Sequence, residues 1–251
     1  MSQTAISDDN LLDQLDGIIS KACKSGADAA DAIYAEGTSV SMAYRLGKPE
    51  HFDRAEGIDL GLRVLVGKRQ AIVSSSDASD LALDELVERA VTMARVVPED
   101  EYCGLAKNSE LATNIPDLDE CDEFEPDASV LKTRAQKAEA AALDVDGVTN
   151  SEGAEAGWSR SRIALATSSG FGQVRVRSSH SLSAAVLAGE GLGMERDYDW
   201  ATVVHAEDLP DPEEIGHTAG QNAVRRLNPR KIPSAQVPVV YAPRVAQSIL
   251  S

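Results

Sequence analysis

The stretch Gly57–Asp77, GIDLGLRVLVGKRQAIVSSSD, constrains the fold more than any other part of the chain. Two apolar runs, Ile58 to Val66 and Ala71 to Val73, flank Gly67-Lys68-Arg69, which is the pattern of a β-hairpin closed by a short glycine-containing turn. The first run is too apolar for a strand with one wet face, so it belongs toward the middle of a sheet. Behind it, Ser74-Ser75-Ser76-Asp77 offers N-cap oxygens, and Leu81, Leu83, Leu86, Val87, Ala90, Val91 and Ala94 recur at helical spacing. Arg63, Lys68 and Arg69 read as solvated charges on the hairpin.

Upstream, Asp8 and Asp9 favour the positive end of a helix whose apolar residues Leu11, Leu12, Leu15, Ile18, Ile19 and Ala22 follow, and Ser25-Gly26 ends it. Ala29 to Ala35 and Val40 to Leu46 read as antiparallel strands joined at Glu36-Gly37-Thr38, with a weaker strand over His51 to Glu56. These elements make residues 1–97 an α+β domain with a helix-flanked, mostly antiparallel sheet. Pro98 to Glu101 stops the second helix. Residues 98–127 then carry few periodic hydrophobics but many acids (Asp117, Asp119, Glu120, Asp122, Glu123, Glu125), the composition of an extended, solvated linker. The segment lacks the glycine and terminal glutamate of an EF-hand calcium loop.

Residues 128–232 read as a second, β-rich α+β domain. An alanine-rich amphipathic helix over Val130 to Leu143 leads into strands at Val148 to Trp158, Arg160 to Thr167 and Gln173 to Leu187, with Ser168-Ser169-Gly170 as a tight turn. Alternation of Val174 and Val176 with Arg175 and Arg177 marks a strand with one wet face. Another strand around Gly193 to Trp200 follows, then a helix from Pro210 to about Leu227. Residues 233–251 read as the start of a further domain: a short strand at Ala235 to Tyr241 and a helical pattern over Val245 to Leu250 that has no stop signal.

Bulk properties exclude several functions. A formal charge of −17, from 41 acidic against 24 basic residues, opposes nucleic-acid binding and an anionic membrane surface. No apolar run approaches the ~20 residues of a membrane span, and the N-terminus MSQTAISDDN lacks the features of a secretory signal. Cys23, Cys103 and Cys121 form neither a disulfide framework nor a thiolate zinc pair, which fits a reducing cytoplasm. Cys23 has no nearby His or basic cluster apart from Lys21 and Lys24 and reads as a packed small hydrophobe.

Chemical motifs are sparse. Gly189-Glu190-Gly191-Leu192-Gly193 lacks the third-glycine spacing of a dinucleotide loop and precedes a strand pattern, so it reads as a hairpin or bulge. There is no P-loop lysine motif and no Gly-x-Ser-x-Gly elbow. Glu213-Glu214-Ile215-Gly216-His217 offers half of a zinc-peptidase helix, but Pro212 stands before it, and His51, His180 and His205 with Glu207 supply no spacing for the other half. A surface helical histidine is the plainer reading, and no catalytic, cofactor or metal residue is assigned.

Taken in order, the segments SGADAADAIYAE, GIDLGLRVLVGKRQAIVSSSD, ARVVPEDEYCGLA and RRLNPRKIPSAQVPVVYAPRVAQSILS resemble the TldD/PmbA family, and more closely its PmbA (TldE) branch. The resemblance runs over nearly the whole chain and implies the first two domains of that family, with the C-terminal domain lying beyond Ser251. It implies a subunit of a cytoplasmic zinc metalloprotease heterodimer acting on peptides. In that arrangement a TldD-like partner holds zinc through a His-Glu-x-x-x-His helix that begins after the segment matching Pro238 to Leu250, so Glu213 and His217 fall upstream of the metal helix. This chain is then expected to hold no zinc, to be inactive alone, and to contribute chamber and interface. The alternative is a non-enzymatic regulatory module of the DNA gyrase modulator type that acts through protein contacts.

Overall fold

The structure, a computed structural model, describes residues 7–249. Its elements in chain order are α1 (Asp8–Lys24), β1 (Ala29–Arg45), β2 (Lys48–Val66), β3 (Arg69–Ser75), α2 (Asp80–Val96), α3 (Ala128–Leu143), β4 (Val148–Thr167), β5 (Gly172–Ala188), β6 (Glu195–Val203), α4 (Pro212–Arg225) and α5 (Pro243–Ala246). The strands form one six-stranded antiparallel sheet in the order β3-β2-β1-β4-β5-β6. This is an α+β fold.

Two hydrophobic cores share this sheet. On β1 the buried residues Ala30, Ala32 and Tyr34 belong to the first core, and Val40, Met42 and Tyr44 to the second. All six are even-numbered, and because strand side chains alternate between faces, both cores lie on the same face. α1 and α2 cover one end of the long strands through Leu11, Leu15, Ile18, Leu86, Val87 and Ala90; α3 and α4 cover the other through Leu131, Ala135, Ala138, Ile215 and Ala219. Each helix also follows from its sequence. Ser7 accepts the Asn10 N–H at the start of α1, with Asp8 and Asp9 in the first turn and Lys21 and Lys24 in the last.

Glu36-Gly37-Thr38 is not a turn. Gly37 pairs with Gly57 of β2 on one side and Ser161 of β4 on the other, so β1 runs straight through. Ser159 likewise sits inside β4, and His51 to Glu56 continues into the apolar run of β2. The polar residues that suggested breaks mark a seam between the cores. There Tyr34 Oη donates to Glu36 Oε2 at 3.0 Å, and Arg162 bonds both Glu36 and Asp8. Burial, with the Glu36 carboxylate beside it, pushes the Tyr34 phenol up to about 12.

Other local readings change in detail. Ile58 to Val66 is flanked by β1 and β3 from Leu60 onward, as an interior strand requires, and Gly67, at φ 59°, permits the tight turn into β3. Arg63 is not simply solvated: it pairs across the sheet with Asp31 at 3.0 Å, while Arg69 meets Glu99 at 3.0 Å and Lys68 Nζ donates to the Glu101 carbonyl. The N-cap of α2 is Ser79, and Asp77 accepts the Ser79 N–H at 2.8 Å. Residues 189–193 form the loop between β5 and β6. Ala235 to Tyr241 is irregular and exposed rather than a strand. Pro233 and Pro238 remove two donors, and no described strand lies beside it to complete a ladder. Of the helical pattern expected from Val245, α5 and a single 3₁₀ turn at Gln247–Ile249 are seen; Leu250 and Ser251 lie outside the described residues.

Two buried details hold the second core to the sheet. Glu139 of α3, 1% exposed, accepts from the backbone N–H groups of Leu46 (2.7 Å) and Gly47 (3.0 Å) and from Ser151 Oγ (2.6 Å), pinning the β1–β2 turn. At the α3–α4 crossing, a Cβ on Gly216 would lie 1.9 Å from the Ala138 carbonyl oxygen, so only glycine allows this approach.

Candidate functional site

The acidic segment 98–127 proves to be the feature that shapes the molecular surface. It is irregular apart from a 3₁₀ turn at Asn108–Glu110, as its composition suggests, yet several of its acids, Glu99, Glu120, Asp122 and Glu125, meet residues of the sheet. It starts where Asp100 N–H donates to the Lys68 carbonyl at 2.7 Å. It then crosses the helix-free face of the sheet, where Ile115, Pro116 and Leu118 overlie Ile33, Ile163, Leu165 and Phe171 and leave an apolar groove of about 510 Å³. Those sheet residues in β1 and β4 are odd-numbered, on the face opposite the cores.

At β5 the segment changes face. β6 pairs only with His180 to Ala188, which leaves the edge before His180 open, and the Ser178 N–H donates there to the Glu120 carbonyl at 3.0 Å. The Glu120 carboxylate takes Arg175 at 2.8 Å and Arg177 Nε at 2.9 Å; Arg175 is half-buried by this contact while Arg177 stays exposed on the wet face expected of this strand. Arg177, then Arg175, hold the Glu120 carboxyl below its ordinary value. Two residues later Asp122 is on the helix side: its N–H donates to Ser178 Oγ (2.7 Å), and its carboxylate accepts the N–H of Ala206 (2.8 Å) and of Phe124 (2.9 Å). Those backbone bonds lower its pKa. Asp127 finally caps α3 by accepting from Ser129 and Val130.

Beneath this clasp lies His180, with no exposed side-chain surface. Phe124 stacks on it with ring centroids 6.1 Å apart, and Asp122 Oδ2 comes within 3.2 Å of Nε2 without hydrogen-bond alignment. Burial pushes the imidazole pKa down, Asp122 opposing and Arg134 reinforcing the shift. His205 behaves oppositely. Its Nε2 sits 3.1 Å from the Asp119 carbonyl and 3.3 Å from the Asp119 carboxylate, and this bond and charge raise its pKa.

A second groove, about 530 Å³, opens on the helix side between α3 and residues 206–212, lined by Ser129, Val130, Thr133, Arg134 and Lys137 opposite Ala206, Leu209, Pro210, Asp211 and Pro212. Asp211 is committed to capping α4, accepting the Glu213 N–H at 2.8 Å.

The structure does not bring the half-motif residues together as ligands. Glu213 is exposed and 3.7 Å from Lys137, His217 is exposed on α4, and His205 is engaged by Asp119. His51 lies on exposed β2 beside Asp53. Among the described residues no group of three or more His, Cys, Asp or Glu side chains could hold a metal ion, so the residues present do not fit zinc. The cysteines are free and half-buried, Cys23 against the first core. Glu120, Asp122, His180 and Arg134 were missed in the sequence. The facing of acids in the linker and arginines on β5 is a signal for Glu120; Arg134, one basic residue of an alanine-rich helix, gives none.

A single antiparallel sheet with two helix pairs stacked along one face, and an acidic clasp around its edge, places the chain among α+β proteins in which two helix-covered cores share one sheet. Residues 30–94 match the model for PmbA/TldA metallopeptidase domain 1 and residues 120–227 that for the PmbA/TldA metallopeptidase central domain; the chain belongs to the PmbA/TldD family. It is 32% identical over 226 residues to the metalloprotease PmbA of Escherichia coli O157:H7, covering 89% of this chain and 50% of that protein. A Haemophilus influenzae metalloprotease PmbA homolog is 31% identical over 231 residues, with 92% and 51% coverage. The chain thus spans about half the length of these relatives. Among solved structures, a Bacteroides thetaiotaomicron protein described as a candidate modulator of DNA gyrase superposes with a TM-score of 0.82 at 22% identity over 91% of this chain and 52% of that one. TldE from Thermococcus kodakarensis superposes with a TM-score of 0.69 at 17% identity over 84% and 47%. These two support the fold. No helix among the described residues is long and apolar enough to cross a membrane.

Proposed function

We propose that this chain forms the first two domains of a PmbA/TldE-like subunit in a cytoplasmic zinc-dependent peptidase heterodimer. The observation that carries this reading is the 31–32% identity, over about nine-tenths of the chain, to proteins named metalloprotease PmbA. A zinc peptidase needs a metal-activated water and a carboxylate that moves its proton. The donor set here does not fit that task, and both belong to a TldD-like partner subunit.

What this chain's own residues contribute is binding surface. The groove beneath Ile115 to Leu118 presents Ile33, Ile163, Leu165 and Phe171 with Arg175 and Arg177 at one end, a lining suited to apolar side chains of an extended peptide. The acidic balance of the chain leaves nucleic acid out as a ligand.

The test is co-purification with a TldD-like subunit, followed by peptide cleavage with and without a chelator. A stable complex with chelator-sensitive cleavage supports the reading. Absence of a complex, or cleavage that ignores the chelator, refutes it. A stable complex without cleavage would favour the regulatory module acting through protein contacts.

A further inference from the structure

Several partly buried arginines in this acidic chain meet acids: Arg63 pairs with Asp31, Arg162 with Asp8 and Glu36, Arg175 with Glu120, and Arg244 with Asp197. Arg134 differs. Its Nη1 is buried without a hydrogen-bond partner. Burial alone acts on its pKa, with no carboxylate opposing it. The residue as a whole is half-buried, but a buried N–H of a charged group left without an acceptor is costly.

The groups below it share the deficit. Among the described residues, buried side-chain polar atoms without partners include Trp158 Nε1 and both ring nitrogens of His180 as well as Arg134 Nη1. Trp158 is 4% exposed and His180 0%, and they are directly paired across β4 and β5 on the helix face. Arg134 bears on His180 from α3 above. Arg134 and Trp158 are donors only, so their unpartnered N–H groups can be satisfied only by an acceptor. Arg134 also lines the 530 Å³ groove, where Lys137, 3.7 Å from the exposed Glu213, adds a second cation, Asp211 is turned to cap α4, and Val130, Leu209, Pro210 and Pro212 supply apolar wall. That volume is within the usual range of ligand pockets.

We propose that the groove between α3 and residues 206–212 binds a carboxylate of a peptide, with Arg134 as its principal partner and Lys137 at the mouth. The apolar wall favours a carboxylate carried on an apolar chain over a free inorganic anion. A guanidinium offers two parallel N–H donors that match a carboxylate. The naming of a peptide rests on the peptidase reading above, but the site is testable without any cleavage.

The experiment is titration of the purified chain with three alanine tetrapeptides: N-acetylated with a free C-terminus, N-acetylated with a C-terminal amide, and the amide carrying one internal glutamate. Inorganic phosphate is a competitor. Trp158 fluorescence, in a Trp200→Phe background, reports binding beside the cluster, and calorimetry gives affinities. A carboxylate held by charge-assisted bonds predicts about tenfold or greater weakening on amidation and in Arg134→Gln. If the C-terminal carboxylate is the ligand, only the free acid binds tightly; if a side-chain carboxylate serves, the glutamate peptide binds too. Equal affinity for free acid and simple amide, or phosphate binding with no peptide binding, overturns the proposal.

Arg134→Met separates binding from a structural role. With the unpaired charge removed, the free chain is expected to melt at the same temperature or higher while the free-acid peptide no longer raises its Tm. A lower Tm in the free Met variant, with peptide stabilisation retained, would overturn the assignment. Binding that depends on Arg134 would stand even if no TldD-like partner or cleavage were found.

Discussion

Replacing Glu139 tests how the second core is joined to the sheet. Its carboxylate is 1% exposed and accepts three hydrogen bonds, from Leu46 N, Gly47 N and Ser151 Oγ. Glu139→Gln keeps the shape but turns one oxygen into a donor, which then faces another donor. Leu46 N and Ser151 Oγ share Oε1 and Gly47 N takes Oε2, so the amide keeps its oxygen on the first two and sets its NH2 against the exposed Gly47 N–H, while the bond from Ser151, 0% exposed, loses its charged acceptor. A bond to a charged acceptor contributes about 1.5–3 kcal/mol, so the substitution is expected to cost about 2–3 kcal/mol in this setting. At about 2–4 °C per kcal/mol for a chain of this size, Tm falls by about 4–12 °C. Circular dichroism melts of wild type, Glu139→Gln, Ser151→Ala and the double variant provide the assay. The double variant should lose less than the sum of the singles, because the charge-assisted Ser151–Glu139 bond is lost only once, a coupling of about 1 kcal/mol. A Tm change below about 1 °C for Glu139→Gln, or strict additivity in the cycle, would refute the claim that this carboxylate anchors the turn.

Further outcomes are expected elsewhere. Gly216→Ala should destabilise by about 1–3 kcal/mol, because a Cβ collides with the Ala138 carbonyl, whereas Gly17→Ala on the open face of α1, with nothing within 4 Å, should stabilise by about 0.5–1 kcal/mol; urea unfolding of the two variants reads opposite signs. Glu120→Gln should release Arg175 and Arg177 and speed amide exchange at Ser178, measured by hydrogen–deuterium exchange with little change in the α1 amides. For pH, the folded pKa of His180 is below the unfolded value of 6.5, so its contribution is complete above about pH 6.5 and stability is lost as pH falls beneath that value. His205, raised above 6.5, works in the other sense, its contribution being fullest below about pH 6.5 and lost as pH rises through the folded pKa. Urea midpoints from pH 5 to 8 should therefore show a shallower acid decline in His180→Leu and a steeper one in His205→Ala.

The helices and the Gly57–Asp77 hairpin were legible because their apolar spacing has a single geometric solution. Leu83, Leu86, Val87 and Ala90 form one helical face, and Leu60, Leu62 and Val64 one strand face, and both are buried as spaced. Glu36-Gly37-Thr38 misled because a polar tripeptide looks alike at a turn and where a long strand passes between two helix pairs. Only the flanking ladders distinguish the two. The acids at 117–125 were ambiguous for a related reason: charge does not reveal whether its partner is water or Arg175, which lies far away in the chain. Gly216 and Gly220, four apart on α4, meet Ala138, Ala142 and Val145; small residues at that spacing are a sequence signal of close helix packing that went unread. Arg134 was not readable, since its significance is the partner it lacks.

The strand β1 is shared. Its register with β4 runs from Asp31 opposite Thr167 to Tyr44 opposite Ala154, joining residues on either side of the clasp. The covalent path between them, through residues 98–127, is thus parallel to a non-covalent one. A protease cut in the exposed stretch near Lys107 should leave two pieces that migrate together on a sizing column and separate only in denaturant. Such pieces, made separately, are natural halves for a complementation reporter whose signal depends on β1 finding β4.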